Sequence, residues 1–299
     1  RSGNVDPRQM QELPLNGRSW DQLALLQPGI VKYTTSNVSF NGGGGANKFS
    51  ASGSLATSNS FLLDGPDIND ASNATPTGAA GTNTGVDSIK EFKIVASTFS
   101  AEYGRASGAI ISAVTRTGTN QLHGGAFEFI RNSALDARQF RDDIDFNNDG
   151  TGDVPPFRRN QFGGTLGGPI LRDRTFFFGA YEGLRQALSD ATEAKVPTPN
   201  VKRGIFPRDD GSGPRPDPVV VDPRIVPFLK LYPDPQQILP HALNPAAEST
   251  TGLYFSAPKE IIRQDYFMGR VDHQLTNGTT IFGRYSFDDD IQTLPDIQG

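Results

Sequence analysis

The chain has no cysteine among its 299 residues, which removes disulfides, thiolate zinc sites and cysteine nucleophiles together. It has no basic run either, and a net charge of −5 gives no reason to expect a nucleic-acid surface. No stretch reaches the roughly 18 apolar residues of a membrane helix, so a helical span is excluded. A barrel is not, because its strands need only about 9–11 residues of alternating character. Apolar residues make up 35 % of the chain, too few for an ordinary helix-rich domain; 33 Gly and 22 Pro with aromatics at strand spacing suit an all-β protein better. Signatures of catalysis are missing as well. No G-x-S-x-G elbow surrounds a serine. The glycine run after Asn41 lacks the Gly-Lys-Ser/Thr of a phosphate loop and reads as a loop. His123, His241 and His273 are too far apart to share a metal at ligand spacing. The reading is of a protein that is not an enzyme. The opening RSGNVDPRQM has no apolar leader and the closing DIQTLPDIQG no terminating element, so the expectation is an internal fragment of an exported protein.

Two kinds of segment are present, and they meet within Ile89–Arg131. Before that junction, Ser19 and Gln22 form a capping box for a short helix with Trp20, Leu23 and Leu26 on one face, stopped by Pro28-Gly29. Strand character follows at Ile30–Phe40, at Ser60–Leu63 with an Asp64-Gly65 turn, at Ile89–Val95 and at Ile110–Thr117. Residues 66–85 hold little to bury and read as a surface loop. The first 118 residues are therefore a small α+β unit.

From 119 onward the pattern is that of membrane strands. Gln121–Arg131 places Phe127 and Phe129 on one face and Gly124, Ala126 and Glu128 on the other. In Asn160–Ile170, Phe162, Leu166 and Ile170 oppose Gln161, Gly163, Thr165 and Gly167. Arg174–Arg185 carries Phe176, Phe177, Phe178 and Tyr181 at a strand entry. Such strands fit a wall with aromatics toward lipid and small or polar residues toward the interior. In the last pair, Phe267, Val271 and Leu275 share a face, as do Ile281, Tyr285 and Phe287. A three-residue loop, Thr276-Asn277-Gly278, keeps those faces together and puts Arg270, Asp272 and Arg284 inside; Gly278 would then take the left-handed position. Charges facing lipid would cost about 2–4 kcal/mol near the midplane. Between the strands, about 186–260 is proline-punctuated and reads as a long, structureless extracellular loop.

These residues resemble the TonB-dependent outer-membrane transporters, and in particular their Oar-like branch. The cues are LPLNGRSW, FLLDG, DSIKEFKIVASTFSAEYGRASGAIISAVTRTGTNQLHGGAFEFIRN, RNQFGGTLGGPI, RDRTFFFGAYEGLR and GRVDHQLTNGTTIFGRYSF, in the family's order over nearly the whole chain. The resemblance implies a plug domain over 1–118 and the first strands of a 22-stranded transmembrane β-barrel over 119–299, of which about five are present. It places the protein in the outer membrane of a Gram-negative cell. It implies TonB as partner, acting on a segment N-terminal to this chain, and a scarce or bulky nutrient as ligand, such as a glycan, a peptide or a metal chelate. No cofactor is required.

Two groups of side chains stand out. Glu102, Arg105 and Arg116 lie in the junction motif, where they would pair either with wall residues such as Glu128 and Arg270 or locally within the plug. Asp145, Asn147, Asp149, Thr151 and Asp153, with Gly150 at the sixth position, match the first half of a calcium loop. Pro156 stands where a bidentate Glu is expected, so a complete EF-hand is excluded, and a solvated acidic turn is the other reading. A secreted, calcium-dependent β adhesion module is the alternative to transport, although only one acidic loop is present.

Overall fold

The computed structural model describes residues 2–5, 18, 24–33, 48–69, 85–96, 106–138, 145, 151–189, 192–276 and 278–294. The expected helix start at Ser19–Leu23, the glycine run after Asn41 and most of loop 66–85 lie outside these residues. The chain divides into two compact units. One combines Arg1–Ile130, Arg159–Gln186 and Ile262–Gln292; the other combines Arg131–Arg158, Ala187–Ile261 and Thr293–Gly299.

The first unit holds three sheets. A four-stranded sheet has the order β1 (Ser2–Val5), β5 (Ile89–Ala96), β6 (Ala109–Thr115), β4 (Ser60–Leu63). β5 pairs antiparallel with β1 and β6, whereas β4 runs parallel to β6. In β5 the buried set switches parity, from Ile89 to Phe92, Ile94 and Ala96, because the register shifts between Ile89 and Glu91. β6 lies between two partners, and its near-continuous AIISAVT run buries Ile110 and Ile111 alike. A two-stranded sheet of β2 (Ile30–Tyr33) and β3 (Lys48–Ala51) adds Phe49, whose ring meets Phe61 edge-on at 5.5 Å. Asn59 links the layers: its side chain donates to the Phe49 carbonyl and accepts from the Ala109 amide. The result is an apolar core with polar edges.

The third sheet of this unit is built the other way round. Its order is β14 (Thr279–Thr293), β13 (Lys259–Thr276), β9 (Thr175–Ser189), β8 (Phe157–Leu171), β7 (His123–Asn132). Phe267, Val271, Leu275, Ile281, Tyr285 and Phe287 are all exposed on one face. Gln264, Met268, Arg270 and Asp272 are buried on the other, joined on β9 by Phe178, Glu182, Leu184 and Gln186. The inner face is thus less polar than expected, since Phe178, Ala180 and Met268 cluster there with Tyr266 packed against them. The strand limits leave two residues between β13 and β14, one fewer than the expected loop, and Asn277 lies outside the described residues. The parity that loop was meant to preserve is nevertheless present. Gln264 donates to Asp288 and Arg263 pairs with Asp289, so even meets even and odd meets odd.

β7 departs from the expectation. Its alternation is present but reversed: Phe127 faces the same side as Gly163 of β8, where an added Cβ would stand 2.8 Å from the Phe127 ring. Gly124, on the opposite face, looks toward Leu166, so Glu128 shares the outer side with Leu166. The glycine at 163 leaves room for a large ring on the inner face, and Phe127 fills it.

The second unit corrects another expectation. Residues 186–260 are not structureless: β10 (Thr192–Pro197), β12 (Glu248–Ser256) and β11 (Gln237–Pro240) form an antiparallel sheet in that order. Short helices at Pro199–Lys202 and Val226–Leu229 decorate it. The Lys202 ammonium ties them down by donating to the carbonyls of Tyr232 and Pro233 and to Asp234. A cavity of about 390 Å³ opens among Asn200, Ile205, Phe206, Pro207, Pro214 and Glu248.

Candidate functional site

The site lies where the N-terminal sheet meets the inner face of the five-stranded sheet, and it has two polar nodes. The first is built around Arg270 of β13. Its Nε and Nη2 grip Asp272 at 3.0 and 2.8 Å, while Nη1 donates to Thr115 Oγ1 at 2.7 Å and to Asp64 Oδ1 at 3.2 Å. The Phe282 ring lies 4.3 Å from the guanidinium carbon. Asp64 follows β4 in a left-handed conformation at φ 55°, which swings its carboxylate toward the end of β6. There it accepts from the Thr115 amide and hydroxyl, both at 2.8 Å, and from Arg284 Nε at 3.3 Å. Two arginines and two aspartates balance in charge. The Asp64 and Arg270 side chains are only 5 % and 8 % exposed, so neither is hydrated when its partner is removed.

The second node is the 3-10 turn Val86–Ser88 and the glycine before it. Gly85 adopts φ 86°, and an added Cβ would lie 2.4 Å from the Tyr266 ring of β13, so both its conformation and its neighbour demand glycine. Its amide donates to Glu182 Oε2 of β9 at 2.7 Å, and the other oxygen of Glu182 accepts from Gln161 of β8 at 2.5 Å. Asp87 pairs with Arg18, whose guanidinium rests 4.1 Å from the Phe127 centroid and 4.9 Å from that of Phe129. Three wall strands and the inward Phe pair therefore converge on one short turn.

The structure brings Arg270, Asp272 and Arg284 together, as the strand faces required. Arg116 donates from Nε to the Ile89 carbonyl, within the N-terminal sheet. Glu128 lies on the outer side of β7, away from that sheet, because the face of the strand is reversed. Glu102 and Arg105 lie outside the described residues, as do Asn147 and Asp149 of the acidic loop. Of that loop Asp145, Thr151 and Asp153 are described, and no three His, Asp or Glu side chains among the described residues are close enough together to hold a metal. The sequence reading missed Asp64, Thr115, Glu182, Gln161, Arg18 and Asp87 as parts of the site. Glu182 was within reach, since the alternation of β9 sets it on the same face as Phe178 and Leu184.

The link between the two sheets is short and tightly held. A Cβ at Gly118 would stand 2.2 Å from the Phe177 carbonyl, so only glycine passes there. Asn120 then exchanges two hydrogen bonds with Asp173 in the β8–β9 turn, at 2.6 and 2.8 Å.

An exposed apolar face backed by a buried, charged one defines the wall of a membrane β-barrel. The outer membrane beta barrel domain family matches residues 114–298, and the chain belongs to that family, with the outer membrane as its location. The chain is 31 % identical over 169 residues to the TonB-dependent transporter Oar of Myxococcus xanthus, a match covering 55 % of this chain and 14 % of that one. Among solved structures it is similar to the outer membrane transporter YddB of Escherichia coli, with a TM-score of 0.52 and 11 % identity over 92 % of this chain and 31 % of that one. It is also similar to a mutant ferric enterobactin receptor of Pseudomonas aeruginosa in complex with enterobactin, with a TM-score of 0.51 and 14 % identity over 97 % and 33 %. The chain thus spans a minor part of each of these proteins.

Proposed function

We propose that the N-terminal sheet is the plug of a TonB-dependent outer-membrane transporter and that the five-stranded sheet is part of the barrel that holds it. The observation carrying this reading is Asp64, a carboxylate of the N-terminal sheet clasped by two arginines of the wall. Polar, charge-balanced contacts of this kind separate without exposing an apolar surface, which suits a plug that must move. The connections at 172–174 and after Thr276 are short and those after β7 and β9 are long, the alternation in length of periplasmic turns and extracellular loops. The substrate class is a nutrient too scarce or bulky for a porin: a glycan, a peptide or a metal chelate. TonB supplies the pull, and the chain performs no chemistry of its own.

A strain lacking the full-length protein, grown with a ferric chelate, an oligosaccharide or an oligopeptide as the limiting nutrient, tests this. The expected result is poor growth on one of them, restored by the gene only where TonB is intact. Unimpaired growth on all three, or rescue without TonB, overturns uptake. Calcium in the 145–153 loop is a separate proposal resting on the alternating oxygen donors. Calorimetric titration of the wild type and of Asp149→Ala checks it, and an absence of heat in both removes the site.

A further inference from the structure

We propose that Arg18 is a coupling residue: its seat on Phe127 and Phe129 of the wall holds the 85–88 turn against Glu182, so that displacing the Arg18 segment frees the turn. The direction of that displacement rests on the plug reading above, whereas the coupling itself does not.

Three observations carry it. Arg18 is a non-glycine residue at φ 52°, a conformation that persists only where its surroundings enforce it. Among the described residues its buried Nε has no hydrogen-bond partner, and the aromatic faces and Asp87 hold the group. Glu182, only 2 % exposed, grips the turn through the Gly85 amide.

Arg18 thus links the turn, through Asp87, to the aromatic pair of the wall. With Arg18 seated, the turn is held at two points: Asp87 by Arg18, and the Gly85 amide by Glu182. With Arg18 withdrawn, Asp87 loses its cation and the turn keeps only the Glu182 contact. The turn cannot retreat on the side of Tyr266, which already touches Gly85. Its remaining course is away from the wall. A pull arriving from the N-terminal side reaches Arg18 before the 85–88 turn, and this arrangement converts the loss of one aromatic seat into release of a second contact on another strand.

The test is amide hydrogen exchange of the full-length protein in detergent micelles, read at Gly85–Ser88. Arg18→Ala is expected to speed exchange at Gly85 by about tenfold or more, while β5 and β6 stay protected. Arg18→Lys, which keeps the charge but not the flat stacking group, is expected to fall between. Adding Asp87→Asn to Arg18→Ala is expected to restore part of the protection, because the carboxylate that lost its cation is then gone. Exchange in Arg18→Ala within twofold of the wild type overturns the coupling, and so does a double variant no better protected than the single one. Failure of TonB-dependent uptake would leave these exchange results unchanged, so the two readings fail separately.

Discussion

The N-terminal sheet and the wall are made of similar residues arranged in opposite senses. In the former, Phe49, Phe61, Phe92 and Ile94 are buried and Lys90, Glu91 and Lys93 face outward. In the latter, Phe267, Val271 and Tyr285 are exposed while Arg270 and Asp272 are buried. A strand's alternation therefore says that two faces differ, and the solvent on each side decides which is which. The lesson is sharpest at the contact of the two sheets, where an apolar-cored element meets a wall through charge rather than through oil.

The largest effect is expected at that contact. Arg270→Ala leaves Asp272 buried without the guanidinium that grips it and Asp64 with one arginine fewer, and removing one member of a buried ion pair costs about 3–5 kcal/mol. Urea unfolding of the full-length protein in detergent should report a loss of that size. Arg270→Met, which fills the space without charge, should still lose stability but less so if Asp64 is changed to Asn with it. If Arg270→Ala is neutral, the two regions meet through water rather than through a buried ion pair. A comparable loss, about 3–5 kcal/mol, is expected for Phe92→Ala in the apolar core, through cavity formation.

Next in size is the reversal of the outer face. Val271→Arg puts a charge where the wall meets lipid and should cost about 2–4 kcal/mol if the position is near the midplane. In a soluble sheet the same change at a residue 44 % exposed would be nearly neutral. Folding into lipid vesicles therefore distinguishes the two cases. An unchanged folding yield would mean that this face does not meet hydrocarbon.

How much of this was legible beforehand differs from strand to strand. β13 and β14 were readable because Phe267, Val271, Leu275, Ile281, Tyr285 and Phe287 share one parity and Arg270, Asp272 and Arg284 the other, and the cost of a charge in lipid settles which face is inner. β7 was not, because HGGAFEF carries a single charge, and Glu128 alone gives the wrong answer. What decides its face is a space on β8 at Gly163, which no local pattern contains. The insertion is rich in proline, which masks the strand character of Thr251–Ser256, the segment that pairs with Thr192–Pro197. The 85–88 node was illegible for a different reason. It joins Gly85 to Glu182 across a separation of 97 residues, and neither residue announces a partner. Contacts between preformed elements depend on how those elements dock, and periodicity carries no record of docking.

The smallest effect is expected at the join of the two regions. Asn120→Ala removes both hydrogen bonds to Asp173, but the pair is exposed and water replaces them. The expected loss is about 0.5–1.5 kcal/mol, the net worth of a solvent-accessible pair. Gly118→Ala, one turn away, should be far worse, since its Cβ would meet backbone atoms of two wall strands that have no side chain to move aside. The ranking matters more than either value. If the link is only a tether, lengthening it at Asn120 by two glycines should leave unfolding unchanged within error. If it also seats the first wall strand, the same insertion should loosen β7 and weaken the Phe127–Arg18 contact, which hydrogen exchange along His123–Asn132 would show directly.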